Sequence, residues 1–280
     1  MKNRKLRAVK PSKQAELYYR QQMQQLVKVM QGIVIEELKN DTLNDSNSLE
    51  FAGFNDSLFS KGVERLAAQL DRITIRLESL NINAFAQMIS EGFLSRLNRN
   101  NNRVMTNNIK RSTGIDLASQ IDTSDIKQLL NVKIAENTAL IKSIKNEYIE
   151  DIGKVVRDNL LAGERSTTLI TEIKERGKVS ESRAKLIART ETSKVNSQIT
   201  QLRAEALGSK TYVWSTVIDE RTRDDHKVMD GLTCRWDDKT VASKDGGQTW
   251  IKRSSFGGVE INPGEIWNCR CVSMPVINFG

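Results

Sequence analysis

Apolar residues recur at helical spacing over most of the first 200 positions. In the first such segment, residues 13–39, Gln and Glu fill the face opposite the apolar residues, which is typical of an amphipathic α-helix. The same spacing predicts helices at about 58–80 and 83–98. The apolar positions of the first segment include Leu17, Val27, Met30, Val34 and Leu38.

Polar segments interrupt this pattern. Residues 41–56, DTLNDSNSLEFAGFND, have the composition of a loop. Residues 98–114, NRNNNRVMTNNIKRSTG, are rich in Asn and contain no acid, which predicts a break between helices. Beyond the break, DTSD supplies N-cap residues for a long helix that ends at Gly163.

Two further helices are predicted before the pattern changes. One begins at Ser166 and ends at Gly177, and the other begins at Ser180 and ends at Gly208. After Gly208, the segment TYVWSTVI is rich in β-branched and aromatic residues, which indicates a strand. DERTRDDHKVMDG predicts a tight turn and one or two helical turns that Gly231 ends.

Short strands are predicted in the remaining C-terminal segment. KTVAS and QTWIKR flank a KDGG turn, and CRCVSMPVI predicts a closing strand that returns its cysteines to earlier elements. All four tryptophans, all three cysteines and the single histidine lie after residue 210. We therefore predict an α+β fold with a long-helix N-terminal body, residues 1–125, and a compact C-terminal module, residues 126–280. In that module, helices at 126–208 pack on a small β-sheet within 209–280.

The chain carries a formal net charge of +8, which favours an acidic partner, with nucleic acid the first candidate. Two basic segments without acids are suited to salt-dependent contact with phosphates. The alternative is a solvated tail and a solvated loop, and neither segment interleaves the aromatic residues that stack on bases. The candidate residues are Lys2, Arg4, Lys5, Arg7, Lys10 and Lys13 in the first segment and Arg96, Arg99, Arg103, Lys110 and Arg111 in the second.

Some classes of protein are disfavoured. No apolar run approaches the roughly 20 residues of a membrane span, and MKNRKLRAVKPSKQ lacks the apolar core of a signal peptide. Three cysteines cannot all pair within one chain, so a disulfide framework is not expected. We expect synthesis in the cytoplasm, where clustered Cys and His residues more often bind metal than form disulfides.

Four soft ligands in one short window form a candidate metal site: His226, Cys234, Cys269 and Cys271. A Cys3His set is a common structural zinc site, and we predict one structural Zn²⁺ bound by these side chains. The CxC spacing is tight, because in a regular strand both side chains share one face. Three alternatives stay open: three ligands with a water, no metal and buried thiols, or a disulfide through Cys234.

A second group of residues suggests an ion-pair network. ARTETS places Arg189 and Glu191 in the middle of a helix, and DERT follows the predicted strand. We expect Arg189 to bind Asp219 through both guanidinium nitrogens, and Arg221 or Arg270 to reach Glu191. This network would fasten the helix to the β-containing unit.

The same carboxylates have an enzymatic interpretation. Glu191, Asp219 or Asp225 would act as a general base beside a metal, as in a hydrolase or nuclease. The sequence shows no second histidine and no Gly-rich phosphate loop with its Lys-Ser/Thr. We therefore expect no catalytic activity.

Three motifs carry a family resemblance. IARTET, then W-x-x-V-I-DERT-x-x-x-H-x-x-x-DG, then PGE-x-W-NCRC, in that order, resemble the phage Mu F-like minor head protein family over residues 130–280. The sequence departs from the family where many members carry Cys and this chain has Arg223. It also has Trp267-Asn268 where a His-Pro pair is common.

The resemblance implies a structural minor head (capsid) protein of a tailed phage. Such a protein is made in the host cytoplasm and lies inside the capsid of the virion at the portal vertex. Its implied partners are the phage portal protein, other copies of itself around the portal, and packaged double-stranded DNA contacted without sequence specificity. Its implied role is head morphogenesis and DNA packaging or delivery. The alternatives are a metal-dependent hydrolase or nuclease that uses the Cys/His cluster, or a non-specific DNA-binding protein.

Overall fold

The computed structural model describes residues 2–43, 56–162 and 166–279. The predicted loop at 41–56 lies largely outside these ranges, as does the predicted helix end at Gly163. The helices are α1 (Lys13–Leu43), α2 (Asp56–Ser79), α3 (Ile82–Thr113), α4 (Ser124–Ala162), α5 (Ser166–Ala206) and α6 (Asp224–Lys227). The strands are β1 (Lys2–Lys5), β2 (Thr211–Ser215), β3 (Thr233–Arg235), β4 (Val241–Ser243), β5 (Ile251–Lys252) and β6 (Val272–Phe279), and a 3₁₀-helix spans Arg253–Phe256.

The six strands form one antiparallel sheet in the order β1-β6-β2-β3-β4-β5, which confirms the predicted α+β class. Strand β2 pairs along β6, with Thr211 opposite Val276 and Ser215 opposite Val272. Strand β1 was not predicted. The basic segment that the sequence suggested as a tail pairs with β6, with Lys5 opposite Val276.

The Asn-rich segment does not break the chain into two helices, because α3 runs through it without interruption. The prediction of a loop there was wrong because tertiary contacts with α5 hold the segment in a helix. Asn101 is fully buried and donates to Thr200 Oγ1 at 2.8 Å, and Arg203 donates to Asn98 Oδ1 at 2.8 Å. Buried polar groups need partners, and here α3 and α5 supply them to each other.

Helix α5 is also continuous where two helices were predicted. Gly177 does not end a helix; it makes room for the Gln31 side chain. A Cβ at Gly177 would lie 2.3 Å from Gln31 Nε2. That amide donates to the carbonyl oxygens of Ile173 and Lys174, both at 3.3 Å. The glycine therefore serves close packing between α1 and α5.

The chain forms two compact units that do not follow the predicted boundary at residue 125. The first comprises Met1–Tyr19, Ser90–Glu136 and Leu186–Gly280, and the second comprises Arg20–Ile89 and Asn137–Lys185. Helices α1, α3, α4 and α5 each contribute residues to both units.

The first unit contains the sheet and one hydrophobic core. Leu6 precedes α1, Met105 and Ile109 come from α3, and Trp214 and Ile277 come from the sheet; all five side chains are buried together. Each of these elements therefore buries its apolar side in a shared core.

The second unit is helical. Ion pairs join Arg76 of α2 to Glu36 at 2.9 Å and also to Glu37 of α1, and Arg183 of α5 lies 2.6 Å from Glu147 of α4. None of the helices in the described ranges is both long and apolar enough to cross a membrane.

Candidate metal centre

His226 reaches the site from the short helix α6. The loop after β2 carries the DERT motif and leads into this helix, and the imidazole is only 2% exposed. Its ring meets the buried Trp214 edge-on, with centroids 5.7 Å apart and planes at 78°. The β2–loop–α6 segment therefore holds the histidine inside the first unit.

The two clustered cysteines lie in a loop that leads into β6. The closing strand begins at Val272, so the prediction of a strand from Cys269 was wrong by three residues. Asn268, just before the CxC pair, has φ 59°, in the left-handed region. Because this backbone is not a regular strand, the two cysteines need not share one face. The tight CxC spacing therefore does not prevent both from binding the same metal ion.

Three of the four predicted ligands meet. His226 Nδ1 lies 3.3 Å from Cys271 Sγ and 3.6 Å from Cys269 Sγ, and the ligand atoms of all three residues are within 4.8 Å of one another. All three side chains are buried.

Cys234, the fourth predicted ligand, is not in this group. It lies in β3 opposite Tyr212, and its thiol contacts the Leu232 carbonyl oxygen at 3.8 Å. Burial raises the pKa of its thiol, as expected of a core cysteine. The predicted four-ligand set is therefore corrected to three side chains.

Both clustered sulfur atoms have polar neighbours. The Gly264 N–H donates to Cys269 Sγ at 3.3 Å, and Thr216 Oγ1 lies 3.0 Å from Cys271 Sγ. A hydrogen bond from the Cys271 thiol lowers the pKa of Cys269 well below its ordinary value, and the same pairing raises the pKa of Cys271. The cluster thus favours one thiolate at Cys269.

The PGE-x-W-NCRC loop packs against α5 at and just after the IARTET motif. Gly264 has φ 85°, and a Cβ there would lie 2.9 Å from the Ser193 carbonyl oxygen. The Asn268 N–H donates to Thr190 Oγ1 at 3.3 Å. These two contacts dock the cysteine loop directly on the helix.

The predicted ion-pair network forms with different partners. Arg270, between the two cysteines, binds both oxygens of Asp219, with Nη1 2.6 Å from Oδ2. Arg221 contributes its backbone N–H to Asp219 at 3.1 Å rather than its side chain. Arg189 is therefore not the partner of Asp219, and the ion pair described for Glu191 is with Lys194, at 3.9 Å.

From the Arg270–Asp219 contact we expect the stability of the module to depend on pH in acid. The Arg270 guanidinium holds the pKa of Asp219 far below its ordinary value. A depressed folded-state pKa contributes stability above the unfolded value of about 3.9, and that stability is lost as the pH falls through the folded pKa. We expect Asp219→Asn to be less stable than wild type at pH 7 and the difference to shrink steadily below about pH 4.

Urea unfolding followed by tryptophan fluorescence at several pH values would measure this difference. The variant Arg270→Gln and the double variant Asp219→Asn, Arg270→Gln complete a double-mutant cycle. The cycle separates the Arg270–Asp219 ion pair from the hydrogen bond that Asp219 also makes with Thr222. A gap between wild type and Asp219→Asn that stays constant from pH 7 to pH 2 would contradict the assignment.

Arg253 is a buried residue that the sequence analysis missed. Its side chain donates to the carbonyl oxygens of Val241 at 2.9 Å and Ile261 at 2.8 Å, and to Tyr212 Oη at 3.3 Å. It is fully buried although it follows a short, half-exposed strand. No local pattern distinguishes it from an exposed arginine, so the sequence alone offered no signal.

The two predicted basic segments come together in the first unit. Asn108 of α3 donates to the Arg7 carbonyl oxygen at 3.0 Å, and the Arg96 guanidinium lies 3.9 Å from the centre of the Tyr18 ring. Lys2 lies in β1, and its side chain is outside the described part. The exposed members are Arg4, Lys5, Arg7, Lys10, Lys13, Arg96, Arg99, Arg103, Lys110 and Arg111.

The chain is similar to two proteins of known sequence. It is 34% identical over 277 residues to an uncharacterized protein of Haemophilus influenzae. The aligned region covers 98% of this chain and 56% of that protein. It is 26% identical over 178 residues to Minor head protein GP7 of Bacillus phage SPP1. The aligned region covers 59% of this chain and 54% of that protein. The chain therefore spans little more than half the length of each relative.

No solved structure matches the chain significantly. The family model described as Phage Mu protein F like protein matches residues 150–274, the segment that contains the DERT, PGE and NCRC motifs and all of α5. The resemblance seen in the sequence is thereby confirmed. Over residues 150–274, this chain is therefore similar to the Phage Mu protein F-like family.

Proposed function

We propose that this chain is a non-enzymatic minor head protein of a tailed phage that acts in head morphogenesis. One observation carries the proposal: the family match over residues 150–274, which the similarity to Minor head protein GP7 supports. In this proposal the protein binds the portal inside the head, with other copies of itself around the ring, and aids packaging or delivery of DNA. It becomes a component of the virion.

The site geometry favours a structural role over catalysis. The motifs of the family make contacts within the module: Gly264 and Asn268 dock on α5, and Arg270 binds Asp219 of DERT. The three candidate ligand side chains, His226, Cys269 and Cys271, are all buried. A hydrolase or nuclease would need an open path to the metal position.

Co-expression with the portal protein of the same phage tests the portal contact. We expect the full chain to co-purify with assembled portal rings through size-exclusion chromatography and to appear inside procapsids by quantitative mass spectrometry. Procapsids assembled without the portal should lack the chain. Equal incorporation with and without the portal would reject portal binding and leave a head protein of another location.

A second contact, with packaged DNA, is favoured by the convergence of the two basic segments. Arg96, Arg99, Arg103 and Lys110 follow spacings of three, four and seven residues, which place them along one face of α3. No acid lies between Glu91 and Asp116. The exposed residues Arg7 and Lys10 run beside the same helix, since Asn108 binds the Arg7 backbone.

We expect the triple variant Arg96→Gln, Arg99→Gln, Arg103→Gln to bind duplex DNA at least ten-fold more weakly at low salt. Each lost phosphate contact removes about 0.9 from the slope of log K against log salt, so the slope should fall by about 2–3. Fluorescence anisotropy with two duplexes of unrelated sequence measures both quantities.

The matched control changes three exposed basic residues of α5 in the second unit: Lys174→Gln, Arg176→Gln and Lys185→Gln. It alters the net charge by the same amount and should leave the slope close to wild type. If both triple variants lose the same affinity for DNA, binding depends on the overall charge of the protein, and the α3 surface is not a binding site.

A further inference from the structure

The spacing of three soft ligand atoms fits one tetrahedrally coordinated metal ion. With Zn–S bonds of about 2.3 Å and Zn–N bonds of about 2.0–2.1 Å, a tetrahedral site separates nitrogen and sulfur by about 3.5 Å. His226 Nδ1 lies 3.3 Å and 3.6 Å from the two sulfur atoms. The side chains thus already stand at ligand spacing.

We propose that His226, Cys269 and Cys271 bind one Zn²⁺ ion, with His226 coordinating through Nδ1. This inference does not depend on the proposed function. It differs from the set expected from sequence, because Cys234 is not among the residues whose ligand atoms lie within 4.8 Å of one another.

The unused nitrogen of His226 supports this assignment. Nε2 is buried and has no hydrogen-bond partner, and the nearest carboxylate oxygen described for it is Asp225 Oδ1 at 4.0 Å. A neutral imidazole that binds metal through Nδ1 carries its proton on Nε2. A small rotation would let that N–H donate to Asp225, the arrangement that commonly orients a metal-bound histidine.

Both sulfur atoms have a hydrogen-bonding group close by. Gly264 donates its N–H to Cys269, and the Thr216 hydroxyl lies within hydrogen-bond distance of Cys271. Metal-bound thiolates accept hydrogen bonds of this kind from surrounding groups, which fix the sulfur positions.

The ion would join two segments that are far apart in sequence. His226 is on α6, whereas both cysteines lie in the loop before β6, and Arg270 between them binds Asp219 of the DERT turn that precedes α6. A metal at this point would reinforce the contact that the partly buried Arg270–Asp219 ion pair also makes.

Metal content of the purified full chain tests the proposal. We expect one zinc per chain by plasma mass spectrometry in wild type and in Cys234→Ser, and loss of most of it in Cys269→Ser and in Cys271→Ser. The Cys234 control makes the same chemical change at a buried cysteine outside the cluster. Equal zinc loss in all three variants, or full retention in the two cluster variants, would overturn the assignment.

Cobalt titration of the wild-type chain covers the case in which the variants fold poorly. After removal of metal with a chelator under reducing conditions, Co²⁺ should give the thiolate-to-cobalt absorption of a tetrahedral site, and added Zn²⁺ should abolish it. Absence of zinc as purified together with absence of this spectrum rejects the site. A mass two hydrogens lower in unreduced protein, again without metal, would identify the two cysteines as a disulfide pair and also reject it.

Discussion

Arg253→Ala is expected to destabilise the first unit by about 3–5 kcal/mol, because it strips donors from buried carbonyl groups and leaves a cavity. The guanidinium meets the carbonyl oxygens of Val241, Val259 and Ile261 and the Tyr212 hydroxyl, and no part of it reaches solvent. Lysine at this position should recover only part of the loss, since one ammonium cannot reproduce the planar fork of donors.

Equilibrium urea unfolding is the measurement, and the tryptophans make it specific. All four lie between residues 214 and 267, so their fluorescence reports the module that contains Arg253. The control is Arg235→Ala, whose side chain is 41% exposed and paired with Asp237; it should cost no more than about 1 kcal/mol. An Arg253→Ala chain as stable as this control would show that the buried hydrogen bonds contribute nothing.

Gly264→Ala is expected to destabilise the same unit by about 2–4 kcal/mol through two additive effects. Its φ of 85° is costly for a residue with a Cβ, by about 1–2 kcal/mol. The new Cβ would also lie 2.9 Å from the Ser193 carbonyl oxygen, so the PGE loop must move away from α5, at a further cost of about 1–3 kcal/mol.

Gly257→Ala separates the two effects. Gly257 has φ 73°, and a Cβ there would have nothing within 4 Å, so this variant carries only the backbone cost. Unfolding curves from tryptophan fluorescence should show Gly264→Ala to be the less stable of the two. Equal losses would mean that the loop does not need its close approach to Ser193.

Helix positions were predictable from the sequence because amphipathic spacing is a local property. The starts of α1 and α4 lie where the pattern and the N-cap residues predicted them. The extent of α3 was not predictable in this way. Its asparagines are poor helix formers, and what keeps them helical is Arg203 and Thr200, about 100 positions away in sequence.

The candidate site was predicted in its residue types and only partly in its pairings. Ligand chemistry identified His226, Cys269 and Cys271, but it had no means of excluding Cys234, because that depends on the register of β2 and β3. Asp219 was correctly expected to meet a guanidinium, yet three arginines were eligible and the backbone path of the NCRC loop selects Arg270.

Strand β1 was missed because four polar and charged residues give no alternating pattern. Its position has a consequence for the order of folding. Lys2 pairs with Phe279 and Lys5 with Val276, so β1 has no partner until β6 has been synthesised. Such long-range pairing is slow to form. In the finished protein, the basic residues of β1 lie on the outer edge of the sheet, where charge discourages aggregation with a second chain.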